Sequence, residues 1–215
     1  MRRRSLLLGV GSSAGLTLLG RPAAADAVGD VLEKITEARK DIKTLQAPFE
    51  QTRSIGLLAS DVVSTGKLWI VRPDRLRWDL FEPDNVTYWI GPEGLSMANK
   101  DGVVKIPKAS ATKFAAVLAD LMIMLGGDVK KLRKRYNMSV KTDGESFTLS
   151  AKPIEKNTRK HINKLRLTCD GDASVIRKVE IIEKNDDSSV IVFGDYIKNE
   201  EIDPEKMKPP KKKKQ

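Results

Sequence analysis

The residue of this sequence whose neighbours most resemble a catalytic motif is Ser96. It lies in Gly94-Leu95-Ser96-Met97-Ala98, which is similar to the G-x-S-x-G elbow of serine hydrolases with alanine in the last position. That elbow needs a strand-to-helix turn, a histidine base and an acid. The one histidine of the chain is His161, and Ser96 falls in a predicted strand between two turns. Hydrolysis is therefore kept only as a minor alternative.

Cofactor and metal chemistry have equally little support. We expect His161 to be a surface strand residue and Cys169 to be a small buried side chain, because a catalytic cysteine needs a neighbouring base. A metal site would need several histidines, cysteines and acids at ligand spacing. The glycines of 9–15 resemble a nucleotide loop, yet only arginines stand where a strand should precede it. The sequence therefore predicts no enzyme activity, no cofactor and no metal.

The N-terminus has the pattern of an export signal. Arginines at 2–4 precede an uncharged run, 5–20, and then small residues with a cleavage option near Ala25 or Ala27. The run is shorter than the about 20 apolar residues that a membrane anchor needs. Both the Sec and the twin-arginine routes fit the arginines. We therefore expect residues 1–25 to be an export signal.

The positive charge of the chain lies at its two ends. The formal net charge is +10, but the first 25 residues hold four arginines, the last ten hold six lysines, and neither end holds an acid. Residues 26–205 are therefore neutral, and the clustered basic face of a nucleic-acid-binding protein is not indicated. We expect 26–205 to be one domain and 206–215 a disordered basic tail. The tail is either merely solvated or attracted to an anionic membrane.

Hydrophobic spacing predicts a mostly antiparallel α+β protein. Residues 28–44 and 110–126 have helical spacing, and a short helix is predicted at 129–135. Runs of alternating residues separated by turn signals such as Asp143-Gly144 predict strands joined as hairpins. The predicted strands are 48–54, 62–71, 75–81, 86–90, 95–98, 103–106, 136–141, 145–151, 160–169, 175–184 and 189–195.

One apolar surface should run across the strands between 66 and 90. Side chains of a strand alternate between its faces, so apolar residues two positions apart share a face. These residues are Leu68 and Ile70 with Arg72, then Leu76, Trp78 and Leu80, then Val86, Tyr88 and Ile90. Something in the chain must cover this surface, and the helices 28–44 and 110–126 are the candidates.

The helix 110–126 is apolar around most of its circumference. After Lys113 it carries Asp120 as its one charged residue. Such a helix is either buried in a core or covers an apolar ligand. Met122 and Met124 have flexible, polarizable side chains that suit a surface able to repack around varied ligands. The pattern alone leaves an ordinary core helix and a ligand-covering helix open.

Two motifs carry a resemblance to a known family. They are Phe49-x-Gln51 and Gly66-x-Leu68-Trp69-Ile70-x-Arg72-Pro73-x-x-Leu76-x-Trp78. With the order of helices and strands around them, they resemble the periplasmic outer-membrane lipoprotein carriers, the LolA-like family. The resemblance covers nearly the whole chain after residue 25. It implies an incomplete antiparallel β-barrel, or half-barrel, with helices covering its apolar concave side.

The resemblance also implies a function. Acyl chains of lipoproteins would bind between sheet and helices, and Arg72 would be the latch that hydrogen-bonds to the helical lid and holds the empty carrier closed. An inner-membrane lipoprotein-releasing transporter would load a monomeric periplasmic carrier, and an outer-membrane acceptor would take the cargo. The acyl-binding residues it implies are Phe49, Leu68, Ile70, Leu76, Trp78, Leu80, Tyr88, Phe114, Leu118, Leu121, Met122 and Met124.

Two stretches depart from the pattern of that family. Residues 94–98 are poor in aromatic side chains, which bears on the shape of the cavity and so on the ligand. Lys206-Met207-Lys208 stands where a closing strand with Phe-x-Phe is usual, which puts that strand in doubt. A carrier or sensor of another lipid therefore stays open beside the lipoprotein carrier.

Overall fold

The computed structural model describes residues 26–106, 113–125 and 129–210, without the side chains of 105, 113–117, 119 and 157. The predicted export signal, 1–25, lies outside the described residues. The helices are α1 (Ala27–Ala38), α2 (Lys113–Leu125) and α3 (Lys156–Arg159), with a 3₁₀ helix at Val129–Lys134. Within the described residues, no helix is both long and apolar enough to cross a bilayer.

Strands are the main secondary structure of the protein. They are β1 (Thr44–Ser54), β2 (Val62–Val71), β3 (Arg75–Leu80), β4 (Val86–Gly91), β5 (Gly94–Asn99), β6 (Gly102–Ile106), β7 (Tyr136–Asp143), β8 (Ser146–Pro153), β9 (Ile162–Cys169), β10 (Ile176–Glu183), β11 (Ser188–Phe193) and β12 (Ile197–Lys198).

The twelve strands form one open antiparallel sheet. The order is β6-β5-β4-β3-β2-β1-β11-β10-β9-β8-β7, and β12 pairs with β1. Neighbours in the chain pair as hairpins, as the alternating pattern predicted, and β1 joins the two halves of the sheet by pairing with both β2 and β11. In the β7–β8 hairpin Gly144 takes the positive φ that its turn requires. The expected incomplete antiparallel barrel with covering helices is confirmed.

Helix α1 ends earlier than its hydrophobic spacing predicted. Asp26 caps its N-terminus by accepting a hydrogen bond from the Gly29 amide, and the helix stops at Ala38 instead of continuing to 44. Thr44 is already paired with Val71 in the sheet, so the chain must leave the helical conformation before it. Pairing in the sheet therefore outweighs the helical hydrophobic spacing at the end of the predicted helix, after Ala38.

One face of the sheet, the inner face, holds the core. Helices α1 and α2 and the 3₁₀ helix pack on it, and the buried apolar residues of helices and strands form one cluster. The residues of the inner face alternate along each strand, as in Leu76, Trp78 and Leu80 of β3, all of which are buried. The inner face is thus covered by elements of the same chain.

The opposite face, the outer face, carries a tryptophan cluster that the C-terminal segment covers. The Arg77 guanidinium lies 4.9 Å from the ring centre of Trp69 and 5.5 Å from that of Trp89. Both Arg77 and the Trp89 indole donate hydrogen bonds to the Lys206 carbonyl. Met207 is only 3% exposed. Lys206 and Met207, which fall in the range expected to be a disordered tail, therefore lie on the sheet. Residues 211–215 are outside the described residues.

Candidate functional site

Helix α2 fills the inner face with apolar side chains. Leu118, Leu121, Met122 and Met124 are all buried, which places four of the predicted acyl-binding residues in the contact between helix and sheet. Phe114 is in the first turn of α2, but its side chain lies outside the described part of the structure. The helix thus occupies the space where an apolar ligand would contact the sheet.

Aromatic rings form the part of the inner face near the centre of the sheet. The Phe49 and Trp78 rings lie 4.2 Å apart between centres, and Phe193 meets both rings edge-on at about 6 Å. The Phe49 ring lies so close to Gly66 that a Cβ there would come within 2.2 Å of it. The glycine before Leu68 is therefore needed for this packing. Sequence reasoning found Phe49 and Trp78 but missed Phe193.

The remaining predicted wall residues lie on the same face. Leu68, Ile70, Leu76 and Leu80 are buried in the core cluster, and Tyr88 packs against it while half-buried. Their strands are neighbours, with Leu68 opposite Trp78 and Trp78 opposite Tyr88 in the ladder. The structure therefore brings the predicted wall residues of β1 to β4 together on one surface.

Arg72 ties the end of β2 to the end of α1. Its guanidinium donates hydrogen bonds to the Arg39 and Ile42 carbonyls, and its backbone amide donates to the Lys43 carbonyl. Burial lowers the pKa of Arg72. The hydrogen bonds of the predicted latch residue thus reach the segment after α1, which in turn contacts α2 through Arg39.

Arg39 is a buried link between the two helices. It is 2% exposed, and its guanidinium donates one hydrogen bond to the Met124 carbonyl in the last turn of α2. Another goes from Nε to the Ser174 carbonyl at 3.1 Å. Burial lowers the pKa of Arg39, because carbonyl dipoles replace water around the charge. Local sequence pattern gave no sign of this residue, since both partners are distant in the chain.

Asp120 makes a second polar attachment of α2. It is 1% exposed, and its carboxylate accepts a hydrogen bond from the Tyr136 hydroxyl and pairs with Arg135. Burial raises its pKa above 3.8, although Tyr136 and Arg135 act in the opposite direction and Glu155 adds to the rise. The helix is thus held by extensive apolar contact and by polar attachments at Asp120 and Met124.

A cavity of about 270 Å³ lies on the inner face beyond the aromatic rings. Leu80, Tyr88 and Ile181 line it, so two of the predicted acyl-binding residues border empty space. Gln51 lines it as well, and the ion pair between Arg53 and Asp84, with atoms 2.7 Å apart, stands at its edge. The volume is about nine times that of one water in the liquid, enough for a short piece of hydrocarbon chain.

A larger and more open groove of about 680 Å³ lies beside α2 at the other end of β2. Met122 and Ile123 supply apolar surface from the helix. Four cationic residues and one acidic residue line the groove: Lys40, Lys43, Arg72 and Lys131, and Asp74. Lys40 is also paired with Glu37 at its side. The groove therefore combines apolar surface with a cationic border.

The residues considered for catalysis lie apart from one another. Ser96 is buried within β5, opposite Trp89, and β6 follows where a nucleophile elbow needs a helix. His161 is exposed in the turn before β9, one position before the strand in which it was expected. Burial raises the pKa of the Cys169 thiol to about 11, so the thiol is protonated at neutral pH. Among the described residues, no three histidines, cysteines or acids are grouped as metal ligands would be.

The comparisons with known proteins agree with this architecture. The family model described as outer membrane lipoprotein carrier protein LolA matches residues 40–209. The outer-membrane lipoprotein carrier protein of Coxiella burnetii is 22% identical over 187 residues, which are 84% of this chain and 82% of that protein. In fold, a DUF1329 family protein from Desulfovibrio piger is similar with a TM-score of 0.51 at 10% identity, over 83% of this chain and 95% of that one. Because the family model matches far more than half of the sequence, the chain belongs to the outer membrane lipoprotein carrier protein LolA family.

Proposed function

We propose that this chain is a periplasmic carrier that binds the acyl chains of lipoproteins between α2 and the inner face and moves them toward the outer membrane. The observation that supports this most is the apolar helix α2, which covers the inner face with buried side chains and borders the groove. A separate cavity lies on the same face, lined by strand residues such as Leu80 and Tyr88. An inner-membrane transporter would load the monomeric carrier, and an outer-membrane acceptor would take the cargo.

The closed arrangement requires that α2 move for a whole acyl chain to enter. The cavity beyond the aromatic rings holds a short piece of chain, and the residues facing α2 are buried. Burying a 16-carbon chain fully would contribute about 13 kcal/mol, at about 0.8 kcal/mol for each methylene. Displacing α2 from its apolar contacts offsets part of this energy. The net affinity is then low enough for an acceptor to remove the cargo.

Arg72 acts as the latch in this proposal by holding the segment after α1 in place. With Arg72 bonded to the Arg39 carbonyl, the Arg39 side chain is positioned to hold the Met124 carbonyl of α2. Loss of this connection lowers the cost of lifting the helix. Arg72 and Arg39 together therefore determine how much of the free energy of ligand binding is offset by lifting α2 from the sheet.

Native mass spectrometry of the protein purified from its own periplasm, followed by lipid extraction, tests this function. The proposal predicts an adduct whose mass is that of an acylated peptide or lipoprotein. An adduct of a free lipid would retain the carrier and assign it another cargo. Absence of any adduct, together with failure to accept lipoprotein from loaded spheroplasts, would contradict the carrier function.

The groove beside α2 favours one second candidate, a carrier or sensor of an anionic lipid. Its four cations against one acid would attract a phosphate head group, and Met122 and Ile123 would contact the first carbons of the attached chains. Vesicles of phosphatidylglycerol and of phosphatidylcholine distinguish this candidate. It predicts lipid extraction from the anionic vesicles only, and equal extraction from both would exclude it.

A further inference from the structure

One polar atom on the inner face, the side-chain oxygen of Gln51, has no hydrogen-bond partner. Gln51 is 2% exposed, and its side-chain oxygen Oε1 is buried with no donor near it. An unpartnered buried acceptor destabilises the state that contains it, because the atom has lost its hydrogen bonds to water. The residues that precede Gln51 on the same face of β1 are Leu45, Ala47 and Phe49, and all three are apolar. The closed protein therefore keeps an unpartnered acceptor in an otherwise apolar part of this strand.

Gln51 faces the cavity that Leu80, Tyr88 and Ile181 line. A second glutamine of the same strand shows the contrast. Gln46 is also buried, but it lies in the register of the outer face, and its Nε2 donates a hydrogen bond to the Glu200 carboxylate at 3.1 Å. One glutamine of β1 therefore has a partner within the protein, and the other, which lines the cavity, has a buried side-chain oxygen without a partner.

We propose that Gln51 receives the polar linkage of the acylated ligand and that this linkage carries an N–H. The inference rests on the proposed carrier function and specifies its ligand as an acyl chain attached through an amide. An amide N–H supplies the donor that Oε1 lacks, whereas an ester linkage offers only acceptors. A site with a buried acceptor discriminates strongly against a ligand that leaves it unpaired.

Two probes that differ only in an N–H group replaced by an oxygen test the proposal. The probes are N-hexadecanoylglycine and its ester counterpart, hexadecanoyloxyacetic acid. Each is titrated into the mature protein by isothermal titration calorimetry, at concentrations below those at which it forms micelles. We expect the amide to bind about tenfold more tightly than the ester. In Gln51→Met, which keeps the length of the side chain but not its hydrogen bonding, the ratio should fall to about one. The matched control Gln46→Met should keep the ratio of the unaltered protein.

The outcomes separate this inference from the carrier function. If both probes bind with a ratio below about three, the amide inference is wrong and the carrier proposal stands. If the ratio persists in Gln51→Met, selectivity comes from another group and the inference is likewise overturned. If neither probe binds the unaltered protein, the carrier function itself fails. The ratio measured on the unaltered protein decides the question even if Gln51→Met does not fold.

Discussion

The Arg39 guanidinium donates a hydrogen bond to the carbonyl of Met124, which joins the segment after α1 to the last turn of α2. Met124 and Ser174 are 85 and 135 residues away from Arg39, so one buried side chain connects three distant parts of the protein. Two of the hydrogen bonds of this buried cation go to carbonyl oxygens, those of Met124 and Ser174. Lifting α2 would remove the Met124 carbonyl from this buried charge.

Removing the latch should loosen α2 more than the sheet. In Arg72→Leu the hydrogen bonds to the Arg39 and Ile42 carbonyls are lost, and the free energy of unfolding should fall by about 1.5–3 kcal/mol. The transfer of cargo to acceptor membranes should be impaired at the same time. Urea unfolding and a transfer assay measure the two effects.

Arg75→Leu is the matched control for the latch. Arg75 lies in the same hairpin, but its ion pair with Glu93, with atoms 2.9 Å apart, is partly exposed to solvent. Exposed ion pairs contribute about 0–1 kcal/mol, so this variant should retain stability and transfer. Transfer by Arg72→Leu at the rate of the unaltered protein would refute the latch.

Charges on the inner side of α2 should abolish the uptake of acyl chains. Leu118→Asp combined with Met122→Asp places two carboxylates in an apolar contact, at a cost of several kcal/mol, and makes one wall of the binding space polar. The sheet should remain folded by far-ultraviolet circular dichroism, while the binding of a fluorescent acyl probe is lost. Val192→Asp, at an exposed position of β11, should leave binding unchanged. Unimpaired uptake by the double variant would place the binding space elsewhere.

The attachment of α2 at Asp120 should respond to pH in a defined direction. Burial raises the pKa of Asp120 in the folded protein above its unfolded value of 3.8. Between these two values the folded state holds a proton that the unfolded state has lost, so the contribution of Asp120 to stability falls as the pH rises.

The comparison with Asp120→Asn isolates this contribution, since the other titrating groups are shared. The measured quantity is the difference in the free energy of unfolding, unaltered protein minus variant. This difference should fall as the pH increases from about 3.8 and should level off above the pKa of Asp120 in the folded state. Chemical unfolding at a series of pH values measures it. A difference that rises with pH would show that the pairing with Arg135 and Tyr136 outweighs burial.

The C-terminal segment should stabilise the outer face. Met207 is buried against the tryptophan side of the sheet, so Met207→Ala should lower the free energy of unfolding by about 2 kcal/mol and shift the tryptophan emission to longer wavelength. Lys208→Ala removes only an exposed ion pair with Glu205 and should change neither quantity. Equal effects of the two substitutions would mean that the segment does not pack in solution as it does in the structure.

The sequence predicts the sheet and its inner face well because both follow from local alternation. Leu76, Trp78 and Leu80 share a face by their spacing alone, and they form the wall as predicted. The same rule would have identified Gln51, because it is a polar residue in the apolar register of β1.

The sequence does not predict the polar connections of α2, because their partners meet only through the fold. Arg39 follows an amphipathic helix and is typical of a solvated residue, yet three-dimensional packing buries it under Met124. Asp120 interrupts an apolar helix, but its pairing with Tyr136 depends on where β7 begins. Nothing in the spacing of either residue indicates such long-range partners.

Hydrogen–deuterium exchange of the protein, empty and after loading with acylated cargo, tests most directly whether the ligand binds by displacing α2. The account predicts that backbone amides of 118–125 lose protection on loading, while those of β1 and β2 keep it. The Arg39 and Arg72 connections break when the helix lifts, so the segment 39–43 should exchange faster as well. Unchanged or increased protection of α2 in the loaded protein would contradict the account.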